Sequence, residues 1–213
     1  MKRGDSEIDI VLFDFGGVLA EEGFKQGLAA IAKANGLDED GFVKTAHDTI
    51  YATGYVLGKA PERVFWSALR QKTGVRGDDD AFRQEILSRF TVRDWMLDLV
   101  KALKTRGVRV GILSDQTDLL DRLDKRYHFF RFFDCIFNSY HVGKGKRDPS
   151  LFHDIVEELK TRPERVLFID DDLGNVERAR QQGWRAVHYV DRDGFEKDIG
   201  DIFPAARPYR PSG

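Results

Sequence analysis

Four short stretches of the chain concentrate groups able to do chemistry. Asp14-Phe15-Gly16-Gly17-Val18-Leu19 offers a carboxylate in a glycine-containing loop, and Ser114-Asp115-Gln116-Thr117 offers a hydroxyl beside a carboxylate. Lys144-Gly145-Lys146-Arg147 is a basic loop, and Asp170-Asp171-Asp172-Leu173-Gly174-Asn175 is an acidic cluster. Taken singly, each has an ordinary structural reading. An aspartate after a strand forms turns, a serine caps a helix, Lys146 is a solvated charge, and three aspartates make an exposed turn. Together they read differently. Carboxylates held ~5 Å apart repel by about 3 kcal/mol at an effective dielectric of 20. A divalent cation relieves that repulsion, and hard oxygen ligands favour Mg²⁺. A lysine and a hydroxyl next to it suit a phosphoryl group. Carboxylate, Mg²⁺, lysine and serine make a phosphoryl-transfer site with the carboxylate as nucleophile.

The four stretches need a scaffold that brings them to one edge. Each follows a short β-branched or aromatic run: residues 8–13, 108–113, 134–138 and 165–169 read as strands, and 185–190 as a fifth. Amphipathic helices are expected at 92–106 and 149–160, and a shorter one after Gly174, ending at Gly183. Strand–helix–strand alternation means an α/β fold, a doubly wound parallel sheet with right-handed crossovers. In such sheets ligands bind beyond the carboxyl ends of the strands. From residue 22 to 90 the alternation stops. Four helical segments, near 24–34, 40–53, 61–72 and 78–89, read as an inserted bundle. The expected organisation is a core domain of residues 1–20 and 91–205, a helical cap of 21–90, and a loose tail of 206–213.

Composition bounds the alternatives. The chain has 213 residues, 41% apolar and 33% charged, which excludes wholesale disorder. With 34 basic and 36 acidic residues the net charge is −2, so the global basic field of a nucleic-acid binder is missing. Cys135 is the one cysteine, which excludes an internal disulfide and a cysteine metal cluster and fits a reducing compartment. No apolar run approaches the ~18 residues of a membrane span, and no signal-peptide stretch precedes the first strand. The expectation is a cytoplasmic globular protein with a small-molecule partner and neither nucleic acid nor membrane.

In these motifs and their order the chain resembles the haloacid dehalogenase superfamily, in the group whose helical cap follows the first motif. The Asp-Phe-Gly-Gly-Val-Leu opening is similar to a branch containing bacterial sugar-phosphate phosphatases, including the α-glucose-1-phosphate phosphatase type. The resemblance implies that Asp14 is the nucleophile that becomes an aspartyl-phosphate. Ser114, helped by the backbone at Asp115, would bind the phosphoryl oxygens, and Lys146 would neutralise nucleophile and phosphate. Mg²⁺ would be held by Asp14, the Gly16 carbonyl and Asp171, with Asp170 acting directly or through water. Asn175 would tie down the acidic loop. Lys144 is the back-up for Lys146.

Three positions depart from the pattern. Gly16 replaces the usual second aspartate, the general acid/base, typically worth 10²–10⁴-fold in rate. An anomeric or acyl phosphate, with a good leaving group, would need less proton assistance. Asp115 stands where an asparagine is more usual. It reads as a cap of the next helix, with a substitute acid/base as the alternative. Arg147 replaces a proline and makes the lysine loop unusually basic.

In the cap, His47, Tyr51 and Tyr55 are spaced four apart and would share one helix face, opposite Phe42, Val43, Ala46 and Ile50. Facing the site they would select a hydroxylated substrate; otherwise they pack the cap with their hydroxyls in water. Glu21 and Glu22 read either as groups near the site or as first-turn helix residues. Trp66 and the run Phe129-Phe130-Arg131-Phe132-Phe133 read as core packing.

The expected activity is a Mg²⁺-dependent phosphatase for a small phosphorylated metabolite, such as a sugar phosphate. The alternative, motivated by Gly16 and Asp115, is a weakly active or inactive member that binds a phosphometabolite or a protein partner. A dehalogenase needs no metal, so the Asp170-Asp171-Asp172 cluster argues against it. A receiver-type signalling domain carries its acidic pair after the first strand, and here the pair follows the fourth.

Overall fold

A computed structural model describes residues 8–204. The expected tail at 206–213 lies outside them. Five strands form one sheet: β1 (Ile10–Phe13), β2 (Arg109–Ser114), β3 (Cys135–Asn138), β4 (Val166–Asp170) and β5 (Arg185–His188). All pairings are parallel and the spatial order is β3-β2-β1-β4-β5. β1 is central, with Phe13 in register with Ile112 on one side and Ile169 on the other. The chain winds outward from β1 through β2 to β3, then crosses to β4 and winds out to β5. The connections of β1 and β4 therefore leave in opposite directions, which opens a crevice at their carboxyl ends.

The strands are apolar on both faces because both are covered. Val11 and Phe13 of β1 belong to one core cluster, Ile10 and Leu12 to the other, as the two-residue period of a strand requires. The first face is covered by α5 (Asp94–Thr105), α6 (Leu119–Tyr127) and α10 (Arg192–Ile202), through Leu99, Leu120 and Ile199. The second is covered by α8 (Ser150–Leu159) and α9 (Leu173–Gln181), through Phe152, Ile155 and Ala179. A four-residue helix, α7 (Ser139–Val142), follows β3. One expectation needs correction: α9 begins at Leu173, before Gly174, because the Asp172 carboxylate accepts from the Asn175 amide at 2.9 Å and caps it. The third aspartate of the acidic cluster is thus a helix cap.

Between β1 and α5 run α1 (Gly23–Ala34), α2 (Glu39–Ala52), α3 (Glu62–Thr73) and α4 (Asp79–Arg89). They pack around Trp66, 1% exposed and set at a tilt against Phe65 and Phe82 at 4.7 and 5.0 Å between centroids. The Trp66 indole donates to Glu62 Oε1 at 2.9 Å, so burying it leaves no polar atom unpaired. Among the described residues no helix is long and apolar enough to cross a membrane.

In the second cluster, the fully buried Phe168 ring meets Phe152 and Trp184 edge-on at 6.5 and 6.2 Å. Phe168→Ala empties the centre of that layer, with an expected loss of about 3–5 kcal/mol of stability, read from urea unfolding followed by circular dichroism.

Candidate active site

Asp14 is the first residue beyond β1, Ser114 the last of β2 and Asp170 the last of β4. The parallel register of three adjacent strands places them on one rim. The loop after β1 is pinned by its aromatic side chain. Phe15 is fully buried, stacked on Phe129 at 5.0 Å and against Phe90 at 5.6 Å. Part of the run at 129–133 thus sits under the loop after β1. Arg93 holds the far side, donating to the Gly17 and Val18 carbonyls at 2.7 and 3.0 Å and forking onto Glu21 at 2.8 and 3.0 Å. Gly17 has φ +82°, and a Cβ there would lie 2.3 Å from Asp171 Oδ2, so the acidic loop rests directly on the glycine backbone.

Lys146 is the centre of the site. Its side chain is 1% exposed, and Nζ sits 2.9 Å from Asp14 Oδ2 and 2.6 Å from Asp170 Oδ2. Burial alone would lower its pKa; the carboxylates of Asp14, Asp170 and Asp115 outweigh that and hold it above the ordinary lysine range. Asp170, fully buried, also accepts from Asn175 Nδ2 at 3.2 and 3.1 Å and from the Asp172 amide at 2.7 Å. Arg178 ties the two loops together, donating to the Lys146 carbonyl at 2.9 Å and to Asn175 Oδ1 at 2.5 Å. Lys144 pairs instead with Asp154 on α8 and does not line the cleft.

Asp14, Asp170 and Asp171 each bring a carboxylate oxygen to within 4.8 Å of the others. Three negative charges face one buried ammonium, a surplus of two. Burial pushes the Asp14 carboxyl up to about 8, with Lys146 opposing and Asp170 and Asp171 adding to the rise. Burial and the Asp170 charge push Asp171 up to about 6. The charge surplus, the all-oxygen donor set and the spacing fit a hard divalent cation.

These residues line a cleft of about 150 Å³ that opens to solvent, with Asp14, Gly16, Ser114, Lys146 and Asp171 at its floor. Its upper wall comes from α1 and α2, through Phe24, Lys25, His47, Ile50 and Tyr51. The Tyr51 hydroxyl donates to Asp115 Oδ2 at 2.6 Å, and the same carboxylate accepts from the Lys146 amide at 2.9 and 3.0 Å. Asp115 is therefore not the cap of the following helix, whose N-cap is Asp118; it joins α2 to the lysine loop. Arg147 lies 3.8 Å over the Tyr51 ring and donates to His47 Nδ1 at 3.1 Å. Burial and the nearby Arg147 charge keep the His47 pKa below its usual value.

Tyr55 departs from its expected place. α2 ends at Ala52 and the chain turns at Gly54, φ +75°, so Tyr55 falls on a separate 3₁₀ turn (Tyr55–Leu57). It is 3% exposed, its hydroxyl donates to Asp118 at 2.5 Å, and it does not line the cleft. Neither tyrosine leaves its hydroxyl in water, and burial with an anionic acceptor raises both pKa values. Arg93 and Arg178, which the sequence reading does not include, also shape the site, and Gln116 and Thr117 of the stretch after β2 line the cleft with no role read from the sequence. Arg178, three residues after Asn175 on α9, had a readable helical signal; Arg93 had none.

Residues 8–183 match the haloacid dehalogenase-like hydrolase family, and the chain belongs to it. It is 24% identical over 131 residues to the phosphorylated carbohydrates phosphatase of Thermotoga maritima, covering 61% of this chain and 50% of that protein. It is 30% identical over 138 residues to bifunctional epoxide hydrolase 2 of Rattus norvegicus, covering 60% of this chain and 24% of that protein. The chain thus spans half or less of these curated relatives. A haloacid dehalogenase family enzyme from Bacteroides thetaiotaomicron shares the fold, with TM-score 0.73 at 22% identity over 91% of this chain and 98% of that one. That enzyme has also been solved in complex with magnesium and inorganic phosphate, with TM-score 0.63 at 20% identity over 86% of this chain and 94% of that one.

Two outcomes follow. Tyr51→Phe should speed hydrogen exchange of α2 amides and leave the β1 and β4 amides unchanged; Asp115→Ala should do the same and also cost about 1–3 kcal/mol, because the Lys146 amide loses its acceptor. The second concerns pH. Because the Asp14 and Asp171 pKa values are raised in the folded state, the native protein holds protons that the unfolded chain releases from 3.8 upward. Metal-free stability should therefore fall as pH rises from there to about 8. In thermal melts, Mg²⁺ should raise Tm more at pH 8 than at pH 5, and Asp171→Asn should shrink that difference.

Proposed function

We propose that the chain is a Mg²⁺-dependent phosphatase that hydrolyses a small phosphorylated metabolite through an aspartyl-phosphate on Asp14. The observation that carries this reading is Lys146 Nζ bridging Asp14 and Asp170 inside the acidic cluster. Asp14 Oδ would attack phosphorus in line, and Lys146 would neutralise the charge that gathers on nucleophile and phosphoryl oxygens. Ser114, 2% exposed and lining the cleft, would donate to a phosphoryl oxygen. Asp14, Asp171 and the Gly16 carbonyl would hold the ion. Asp170 already accepts from Lys146, Asn175 and the Asp172 amide, which favours contact with the ion through water. When bound, Mg²⁺ supplies Lewis-acid charge stabilisation at the phosphoryl oxygens.

We assign residues 21–90 as a cap over the core of 1–20 and 91–205. The cleft is scaled to a small molecule: an enclosed cavity of ~150 Å³ holds a benzene-sized guest. Arg147, His47 and Tyr51 give its wall polar groups, which suits a hydroxylated leaving group such as a sugar. The Thermotoga phosphatase of phosphorylated carbohydrates is consistent with that substrate class. A binding-only reading rests on Gly16 and Asp115; with Asp115 engaged by Tyr51 and the Lys146 amide, Gly16 is what remains of it.

The test is phosphate release from a panel of sugar phosphates, acyl phosphates and nucleotides, with Mg²⁺ or EDTA. Turnover should require the metal and fall on the order of 10⁴-fold or more in Asp14→Asn. Phosphate binding without turnover on every substrate would sink the enzyme reading.

A further inference from the structure

An aspartyl-phosphate is hydrolysed only when a water molecule loses a proton as it attacks phosphorus, and a carboxylate near the phosphoryl group accelerates that step. The cleft offers four carboxylates besides the nucleophile and the buried Asp170: Glu22, Asp115, Asp171 and Asp172. Three are committed elsewhere. Both Asp115 oxygens accept from the Lys146 amide, and one also from Tyr51. Asp172 caps α9. Asp171 belongs to the cation-binding set.

Glu22 is different. It is the N-cap of α1, with Oε1 accepting from the Lys25 amide at 3.2 Å. That bond fixes the side chain and leaves Oε2 pointing along the cleft wall at the nucleophile loop. A Cβ built on Gly16, two residues from Asp14, would lie 3.2 Å from Glu22 Oε2. The volume that a side chain at residue 16 would enter is thus bordered by the Glu22 carboxylate. Among the described residues no donor holds Oε2. Glu21, its neighbour, is turned away and forked by Arg93.

We propose that Glu22 is the general base of the hydrolytic half-reaction, which rests on the aspartyl-phosphate reading above. In the first half-reaction an Asp14 oxygen bonds to phosphorus as the ester O–P bond breaks, and the leaving group departs with the electron pair. In the second, Glu22 Oε2 takes a proton from water as the water oxygen bonds to phosphorus. The O–P bond to Asp14 breaks, its carboxylate is restored, phosphate leaves, and Glu22 returns its proton to solvent.

The test is Glu22→Gln with p-nitrophenyl phosphate and Mg²⁺, a substrate whose leaving group needs no proton. The glutamine carbonyl still accepts from the Lys25 amide, so the cap of α1 survives. The expected result is a burst of nitrophenol equal to the enzyme present, then steady turnover slowed by about 10²–10⁴-fold. Intact mass after acid quench should show one added phosphoryl group, absent in Asp14→Asn/Glu22→Gln. Gly16 lies outside the left-handed region, and its Cβ would meet the end of the flexible residue 22 side chain at 3.2 Å, so an aspartate fits once that side chain gives slightly, and Gly16→Asp/Glu22→Gln should recover about tenfold or more. Unchanged turnover in Glu22→Gln, slow turnover with neither burst nor phosphoenzyme, or a burst without recovery in the double variant overturns the proposal for Glu22 alone. Wild-type turnover that survives Asp14→Asn overturns the aspartyl-phosphate reading beneath it.

Discussion

A lysine ammonium almost without solvent, wedged between two carboxylates, is the constraint around which this molecule is arranged. Removing Lys146 and Asp170 from water carries a desolvation cost of several kcal/mol per ion, offset only if every lone pair and proton finds a partner. The surrounding chain supplies those partners. Asn175 and the Asp172 amide hold Asp170, Asp115 holds the Lys146 amide, and Arg178 holds the Lys146 carbonyl. Asp115 comes from the loop after β2 and the others from the β4–α9 segment, so the loops after β2, β3 and β4 are locked to one another through polar bonds rather than through apolar packing. The fold gains a preorganised charge array at the crevice where the sheet reverses direction.

The inserted helices are joined to that array by polar contacts as well. Tyr51 reaches Asp115, Tyr55 reaches Asp118, and the Arg147 guanidinium stacks on Tyr51 beside His47. Ser139 adds a bond to the Val56 carbonyl at 2.7 Å. At Gly58, φ +65°, a Cβ would stand 2.2 Å from the Tyr140 carbonyl, so that approach requires glycine. Such contacts exchange readily with water when separated, unlike a sealed apolar face. Apolar packing runs across the same junction, because the inserted helices and one face of the sheet belong to a single cluster.

Much of the fold was legible because its signals are local. β2 and β4 are short apolar runs that end in a hydroxyl or a carboxylate, as Val-Leu-Phe-Ile-Asp does at β4, and Asp14 directly follows β1. Those ends are where a parallel sheet collects its ligands, so Asp14, Ser114, the basic loop 144–147 and the acidic cluster at Asp170 could be grouped from their places after the strands, and the resemblance singled out Lys146. What stayed hidden depends on where the chain turns. Tyr55 shares a four-residue spacing with His47 and Tyr51, but a left-handed glycine ends the helix before it. Asp115 looked like a cap because its partners, Tyr51 and Lys146, lie 64 and 31 residues away. Arg93 and Glu21 are 72 residues apart, and neither carries a local sign of the other.

The Asp115 carboxylate carries a consequence beyond its bonds. One side chain serves two masters, the position of α2 and the position of the lysine backbone. Thermodynamic linkage makes such sharing reciprocal. Whatever a ligand at the Lys146 loop does to the hold on α2, a contact made by α2 does in equal measure to the lysine loop. Recognition of the anionic end of a ligand and recognition of its remainder are therefore not independent sums. They are coupled through one carboxylate, so neither contact can be scored without the other.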